Sequence, residues 1–439
     1  MSLPKLYRGS VKDVLGPVMM DHGQGNAGPG AQNGVFPAVV FDYSDAYSVY
    51  DWGKMPDMLP KKGEALAILA AHWFERIEKS ETWREFSKSA EALELRKFNK
   101  FGAAFNEVGE KLQKEGLRTH YLGVAQLDKA SDRFQTQLLS QVAEKGVPVR
   151  ALVARQVSVA KPTMGTILGR TVPDYQSTLS TAYPRLIPLE IVFRFGCPPG
   201  SSLLERSSKD PSYLSSRGYA ELQATLDSQD TGEKKWAFPF LEMFTKLETT
   251  DRPVSLAEGL AISGLSATQL QEVLFKTVWV AGLLKSYCSK AGLELADGKL
   301  EWAVDAQGQT FLVDAIGPDE LRILKDGIQL SKEFLRTYYR GTPWYELMLQ
   351  SKKHAAHNGI ADWKKFVTMA PAPLSAQHKE VASQLYTALT NRLTGRNWFA
   401  QSWDLDQVVT QIKDLAAKDS AAVNEHSHGS DGLSGEVHG

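Results

Sequence analysis

The sequence predicts an α+β chain of two lobes followed by a helical extension. Three observations carry that reading. Strand-type residues dominate 3–50, helical spacing of apolar residues takes over from 63 to 116, and the apolar strand "RLIPLEIVFRFG" at 185–196 opens a second mixed block. A chain of 439 residues has room for two or three domains. The expected divisions are 1–186 (a β-rich lobe with a helix pair), 187–345 (a second α+β lobe), 346–419 (a helical extension) and 420–439 (a polar, Gly-containing tail expected to be disordered).

The elements follow in order. "KLYRGSVKDVLGPVMM" and "GVFPAVVFDYSDAYSVYDW" are strand-like and flank a Gly-rich segment. "GQGNAG" at 23–28 matches GxGxxG, but Pro29 and Gly30 follow at once and cannot open the helix a dinucleotide fold needs. A loop between two strands is expected there. Residues 63–90 read as one helix, and the helical pattern resumes from 91 and stops at Gly116. Residues 152–162 alternate as a strand, and 163–184, rich in Thr, Ser, Pro and Tyr, read as an inserted loop. "SATQ" at 266–269 offers a capping box, Ser266 with Gln269, for a helix running to about Lys290, where Gly292 supplies the stop. Residues 345–420 read as largely helical.

Composition narrows the function. Hydrophobic residues make up 43% and charged residues 23%, and the net charge is −1. No general affinity for nucleic acid or an anionic membrane is expected. The two cysteines, Cys197 and Cys288, form no CxxC and no disulfide framework. The N-terminus has no apolar signal core, and the apolar run at 278–284 is too short to span a bilayer. A cytoplasmic location without nucleic-acid or membrane partners is expected. Homo-oligomerisation stays open.

Several charged residues stand in unusual places. Lys12 follows a Gly in a strand, where it is either an exposed lysine or a point charge on a phosphate. Asp45, Ser48 and Asp51 are three apart in a polar loop before a helix that starts near Lys62, which fits a capped turn as well as a ligand site. Glu190 and Arg194 lie within an apolar strand, where charge is costly unless paired or ligand-facing. Gly200, Ser201 and Ser202 then offer backbone N–H groups and hydroxyls for an oxyanion. In "LADGKLEWAVDAQGQTFLVDAIGPDELR", Asp297, Lys299 and Glu301 share one strand face, while Leu300 and Trp302 face a core. A turn at 306–307 would set Lys299 opposite Asp314, with Glu301 diagonal to it. Such a face suits Mg²⁺ with phosphate oxygens. It equally suits a solvated Lys–Asp pair.

Together these segments resemble one family, the SAICAR synthetases, ATP-dependent ligases of purine biosynthesis. "KLYRGSVK" is similar to the family's N-terminal LYxGKxK strand, and "DAYSVYD" with "KKGE" to its DRxSxxD and following KG. "LRTHYLG", "IPLEIVFRFGCPPGSSL", "FTKLETTD", "DGKLEW", "VDAIGPDELR" and "SKEFLR" resemble further family stretches in the same order, covering most of 5–345. The resemblance implies a two-lobed, ATP-grasp-like α+β fold, here with a helical C-terminal extension. It also implies that ATP phosphorylates the carboxylate of carboxyaminoimidazole ribotide and that L-aspartate displaces phosphate to form an amide. Carried over by motif, Gly9, Ser10 and Lys12 would lie against ATP phosphates, Lys246 would reach the nucleotide, and the backbone at Ile187, Leu189 and Glu190 would form a hinge near adenine. Glu301 and Asp314 would hold Mg²⁺. Lys299, with Asp297, would face the reacting carboxylate. Arg194, Ser201, Ser202 and Arg322 would take the ribotide phosphate, with Asp45, Ser48, Asp51 and Lys62 on the ribotide side. Asp251, Lys332 and Arg336 would place aspartate.

This sequence departs from the pattern at Ser10 (a Lys in the family), Ala46 (an Arg), Ala315 and Gly317 (Glu and Ser) and Ser331 (an Asp). Two alternatives therefore stay open: a ligase with another amine acceptor, and a non-catalytic nucleotide-binding or scaffolding homologue that uses the C-terminal helices. A protein-kinase reading lacks its HRDxxxxN and DFG stretches.

Overall fold

A computed structural model describes residues 3–21, 35–98, 101–128, 133–145, 149–198, 201–222, 234–358, 360 and 362–428. The first sheet contains β1 (Lys5–Arg8), β2 (Lys12–Asp21), β3 (Val35–Tyr43), β4 (Tyr121–Asp128), β5 (Arg133–Gln137) and β6 (Ala151–Arg155), in the order β1-β2-β3-β6-β4-β5. A hairpin, β7 (Thr163–Ile167) and β8 (Arg170–Asp174), stands apart. The second sheet contains β9 (Arg185–Cys197), β10 (Lys234–Thr245), β11 (Pro253–Val254), β12 (Glu294–Val304), β13 (Thr310–Val313), β14 (Leu321–Lys325) and β15 (Ile328–Gln329). Its order is β11-β10-β9-β12-β14-β15, with β13 paired to β12. β9 is mostly apolar and almost wholly buried because it is central, with β10 on one side and β12 on the other.

The helices are α1 (Lys62–Ile77), α2 (Ser80–Phe86), α3 (Ala90–Lys97), α4 (Gly102–Glu115), α5 (Leu139–Lys145), α6 (Gln176–Leu179), α7 (Ser202–Lys209), α8 (Leu256–Ser263), α9 (Ala267–Lys290), α10 (Glu333–Tyr339), α11 (Pro343–His357), α12 (Ala376–Thr394) and α13 (Leu405–His428). α1 lies on the first sheet, whereas α3 and α4 pack on α9. Trp279 of α9 stacks on Phe105 of α4 at 5.0 Å between ring centroids. The two sheets also join through backbone: Leu312 donates to the Arg118 carbonyl at 3.1 Å, and His120 donates to the Leu312 carbonyl at 2.9 Å. One continuous apolar core runs through both sheets and into α12 and α13.

The capping box is present: the Ser266 hydroxyl accepts from Gln269 N, and the Gln269 side chain accepts from Ser266 N. Gly116 and Gly292 both adopt positive φ at helix ends, as expected.

Other expectations are corrected. The helix of 63–90 is two helices, because the chain turns at Glu78 and Lys79 and the Trp83 indole N–H caps the Ile77 carbonyl at 2.7 Å. The strand of 152–162 ends at Arg155. The loop of 163–184 is a hairpin followed by a short helix; Leu168 and Gly169, both at positive φ, make its tight turn. The β12–β13 hairpin centres on Gln307, so its register is one residue off the expected one and Lys299 is not set opposite Asp314: Glu301 pairs with Val313 and Val304 with Thr310. Helix α13 continues to His428, eight residues past Ser420, through an Ala-containing stretch that favours helix. The 23–28 loop, Gly200 and residues 429–439 lie outside the described residues.

Candidate active site

Glu190 on β9 and Glu301 on β12 face each other across the ladder. Two like charges in register repel, and two lysines offset this. Lys246, placed just past β10 by its N–H bond to the Pro188 carbonyl, lies 2.6 Å from Glu190 and 2.8 Å from Glu301. Lys299 lies 2.7 Å from Glu190 and 3.6 Å from Glu301. Burial opposes ionisation of Glu190, but Lys299 and Lys246 outweigh it and hold its carboxyl below the usual range. Glu301 is pushed up to about 7 by burial and by Asp314.

Asp314 follows β13 with φ 69, a left-handed conformation that Asp tolerates better than most residues. That conformation turns its carboxylate onto Lys12 of β2, which forms an ion pair with it. The Lys12 ammonium also lies 4.6 Å from the Phe41 ring centroid. Burial works against charge on both partners. Lys12 nonetheless holds Asp314 well below the usual carboxylate range, and Asp314 raises Lys12. The His120 Nε2–H donates to the Asp314 carbonyl at 3.1 Å, and burial with Lys12 nearby lowers its imidazole to about 3. Gly9 fixes the loop before Lys12: its N–H donates to the Lys12 carbonyl, and a Cβ there would stand 2.3 Å from that oxygen.

A second cluster lies further along the same face. Arg194 donates to Glu242 at 2.5 Å and to Asp297 at 3.0 Å, and Arg322 lies 3.5 Å from Asp297. Arg206 and Tyr213 complete the hydrogen bonding of Glu242, each at 2.7 Å. Asp297 thus belongs with the arginines. The structure does not bring it to Lys299's carboxylates, although all share one strand face. Ser201 is the N-cap of α7, accepting from Leu203 N, and Ser202 begins that helix, exposed.

A third cluster forms around Asp319. Lys62, fully buried at the start of α1, lies 2.8 Å from Asp319 Oδ2. The Tyr386 hydroxyl of α12 donates to Oδ1 at 2.7 Å. Burial opposes the charge, but Lys62 and then Lys332 hold Asp319 at about 2. Glu320 beside it is pushed up to about 7 by burial, Asp319 and Asp314. Lys332 is the N-cap of α10 and Arg336 lies in its last turn, pairing with Glu333 at 3.0 Å.

The remaining expected residues are spread out. Asp45 accepts from the Gly63 N–H at 2.9 Å and so caps α1. Ser48 is half-buried in the same loop, and Ser10 lies in the β1–β2 turn. Asp51 is exposed and reaches Lys352 of α11 at 3.3 Å. Asp251 is raised to about 6 by burial and by Glu190. Ile187 and Leu189 point into the core; the β9–β12 register shifts between Glu190 and Leu186, while Leu189 stays paired with Thr245 on β10. Sequence reasoning missed Glu242, Asp319, Glu320 and Tyr386. Asp319 and Glu320 stood in the quoted hairpin; nothing local marked Tyr386.

Glu301 and Asp314 offer hard carboxylate oxygens, now paired with Lys246 and Lys12. Among the described residues no group of three or more His, Cys, Asp or Glu is arranged to hold a metal by itself. Two carboxylates are the number that Mg²⁺ takes from a protein when it arrives with phosphate oxygens, and Glu301 and Asp314 would supply them.

Fold and site together define an α+β protein in which Lys12, Lys246 and Lys299 are gathered with Glu190, Glu301 and Asp314. The family model for SAICAR synthetase matches residues 35–350. A protein of Archaeoglobus fulgidus, provisionally named a phosphoribosylaminoimidazole-succinocarboxamide synthase, is 32% identical over 85% of this chain and 93% of its own length. The synthase of that name from Thermoplasma acidophilum is 29% identical over 52% of this chain and 73% of its own. The solved SAICAR synthase of Saccharomyces cerevisiae, complexed with SAICAR, shares the fold at a TM-score of 0.50 and 18% identity, covering 90% of this chain and 96% of that one. The chain belongs to the SAICAR synthetase family. Among the described residues no helix is long and apolar enough to cross a membrane.

Proposed function

We propose that this protein is an ATP- and Mg²⁺-dependent cytosolic ligase that joins carboxyaminoimidazole ribotide to L-aspartate through an acyl phosphate. The observation that carries the reading is the balanced cluster of Lys12, Lys246 and Lys299 against Glu190, Glu301 and Asp314. Its lysines are poised to exchange carboxylate partners for phosphate and substrate oxygens.

Lys12 and Lys246 would take phosphate oxygens of ATP as point charges, with Gly9 and Ser10 shaping the turn above them. The backbone at 187–190 would form the hinge near the adenine. Lys299 would orient the imidazole carboxylate toward the transferring phosphoryl group, since positioning and electrostatics supply most of such catalysis. Glu301 and Asp314 would hold Mg²⁺, which when bound neutralises phosphate charge. Arg322 and Arg194, with Ser201, would take the ribotide phosphate, and Asp297 would hold both guanidinium groups in place. Lys332 and Arg336 would receive the carboxylates of aspartate.

The test is ADP and phosphate release with each substrate omitted in turn. Release should require both ribotide and L-aspartate. A protein that binds both and releases no ADP would remove the reading. Preference for another amino acid would replace the acceptor.

A further inference from the structure

Glu242 is a buried carboxylate whose donors divide unevenly between its two oxygens. Oε1 accepts from Arg206 Nε at 3.1 Å, from Arg206 Nη2 at 2.7 Å and from the Tyr213 hydroxyl at 2.7 Å. Among the described residues, Oε2 accepts from Arg194 Nε alone, at 2.5 Å. An arginine and a carboxylate pair most strongly through two parallel N–H···O bonds. Arg194 is denied that fork because Oε1 is already filled. Its Nε is spent on Glu242 and its Nη1 on Asp297 at 3.0 Å, which fixes the plane of the guanidinium and keeps Nη2 out of the Glu242 pair. The cluster also carries surplus charge, since the guanidinium groups of Arg194, Arg206 and Arg322 face only the two carboxylates of Glu242 and Asp297. Such a balance suits one further anionic group.

The sheet register says where that group would lie. Arg194 stands opposite Asp297 on β12, and Lys299 stands opposite Val192, two residues away on the same pair of strands. Residues opposite each other, and residues two apart, share a face. The rows of Lys299 and Arg194 are therefore on one face and roughly 7 Å apart along the strand. One ribose can fill that span, with a ring carboxylate at Lys299 and a phosphate at Arg194.

We propose that Arg206 and Tyr213 are positioning residues for the phosphate of the ribotide: by filling Glu242 Oε1 they hold Arg194 to a single bond on Oε2 and keep its Nη2 for a phosphate oxygen. Helix α7, which carries Arg206, is then part of the phosphate subsite through Glu242. This inference rests on the assignment of Arg194 above.

The test is a double-mutant cycle in the full chain, read as KM for each substrate. Arg206→Met frees Oε1 for Arg194, so KM for the ribotide should rise about tenfold, the scale of one hydrogen bond to a charged group, with kcat and the KM values for ATP and L-aspartate within about twofold. Arg206→Lys still supplies a donor to Oε1 and should recover most of the loss. Arg194→Met should also raise KM for the ribotide, and the double variant should be no worse than Arg194→Met alone, because Arg206 acts through that one guanidinium. An unchanged KM in Arg206→Met, with Arg194→Met impaired, overturns the positioning role and keeps the assignment of Arg194. An unchanged KM in Arg194→Met removes that assignment and the inference with it. Effects that simply multiply in the double variant mean that Arg206 draws the phosphate by its own charge, and they also overturn the inference. Tyr213→Phe removes no charge and keeps the test open if Arg206→Met fails to fold. It should raise KM for the ribotide alone, by about threefold, the scale of one modest hydrogen bond. An unchanged value there overturns the reading that a filled Oε1 is what positions Arg194.

Discussion

Asp314 combines two demands, a charge aimed at Lys12 and a left-handed backbone. Substitutions separate them. Asp314→Asn keeps a residue that tolerates positive φ, whereas Asp314→Ala adds backbone strain of about 1 kcal/mol. Both variants should lose turnover by at least about a hundredfold, while denaturant unfolding should find the Ala variant the less stable. Equal stability would mean that the hairpin end does not depend on that conformation. Glu320 gives a pH signature. Its folded pKa of about 7 lies above the usual carboxylate value. The stability it contributes is therefore full below the unfolded value and is lost as pH rises through 7. Glu320→Gln, always neutral, should be near wild type at pH 5 and more stable by about 1 kcal/mol at pH 8, a figure discounted for its partial exposure. Unfolding at the two pH values reads this directly. At this scale the sequence was partly legible. Period-two spacing correctly put Lys299 and Glu301 on one face, because strand geometry is local. It could not show that a reversed φ turns Asp314 onto Lys12, nor that Asp297 is claimed by Arg194.

Among the elements, α9 was the most legible because its start is written in four residues. The Ser266–Gln269 box satisfies N–H groups that would otherwise be orphaned. Ser266→Ala should cost about 1 kcal/mol and leave KM values unchanged, since the cap lies away from the lysine cluster. Gly109 on α4 was not legible as a packing residue. A Cβ there would stand 2.3 Å from the Trp279 ring, so Gly109→Ala should destabilise by about 1–3 kcal/mol through overpacking of α4 on α9. Both values come from denaturant midpoints with unchanged slope. The misread elements share a physical cause. The 63–90 helix and the 163–184 loop were judged by composition, but the break at Glu78 and the turn at Leu168 are backbone events that composition does not encode.

For the whole molecule, the decisive question is whether the helices after 345 form a module or part of the fold. Sequence motifs stop near Arg336, which suggested an interaction surface. In the structure, Val381, Leu385, Tyr386 and Leu389 of α12 are each no more than 1% exposed and belong to the same core as α1. Val408 of α13 is fully buried in that core as well. Each such side chain contributes about 1.5–3 kcal/mol, and their sum is comparable with the roughly 5–15 kcal/mol that separates a folded domain from its unfolded chain. A chain ending at 345 would bare the apolar face of α1 and also lose the hydroxyl on Asp319. It should be insoluble or fail to unfold cooperatively, and adding α11–α13 as a separate peptide should not be needed for anything but folding. A truncated protein that stays soluble, melts cooperatively and turns over would show instead that the first two sheets are self-sufficient. In that case α12 would act on Asp319 from outside a complete fold.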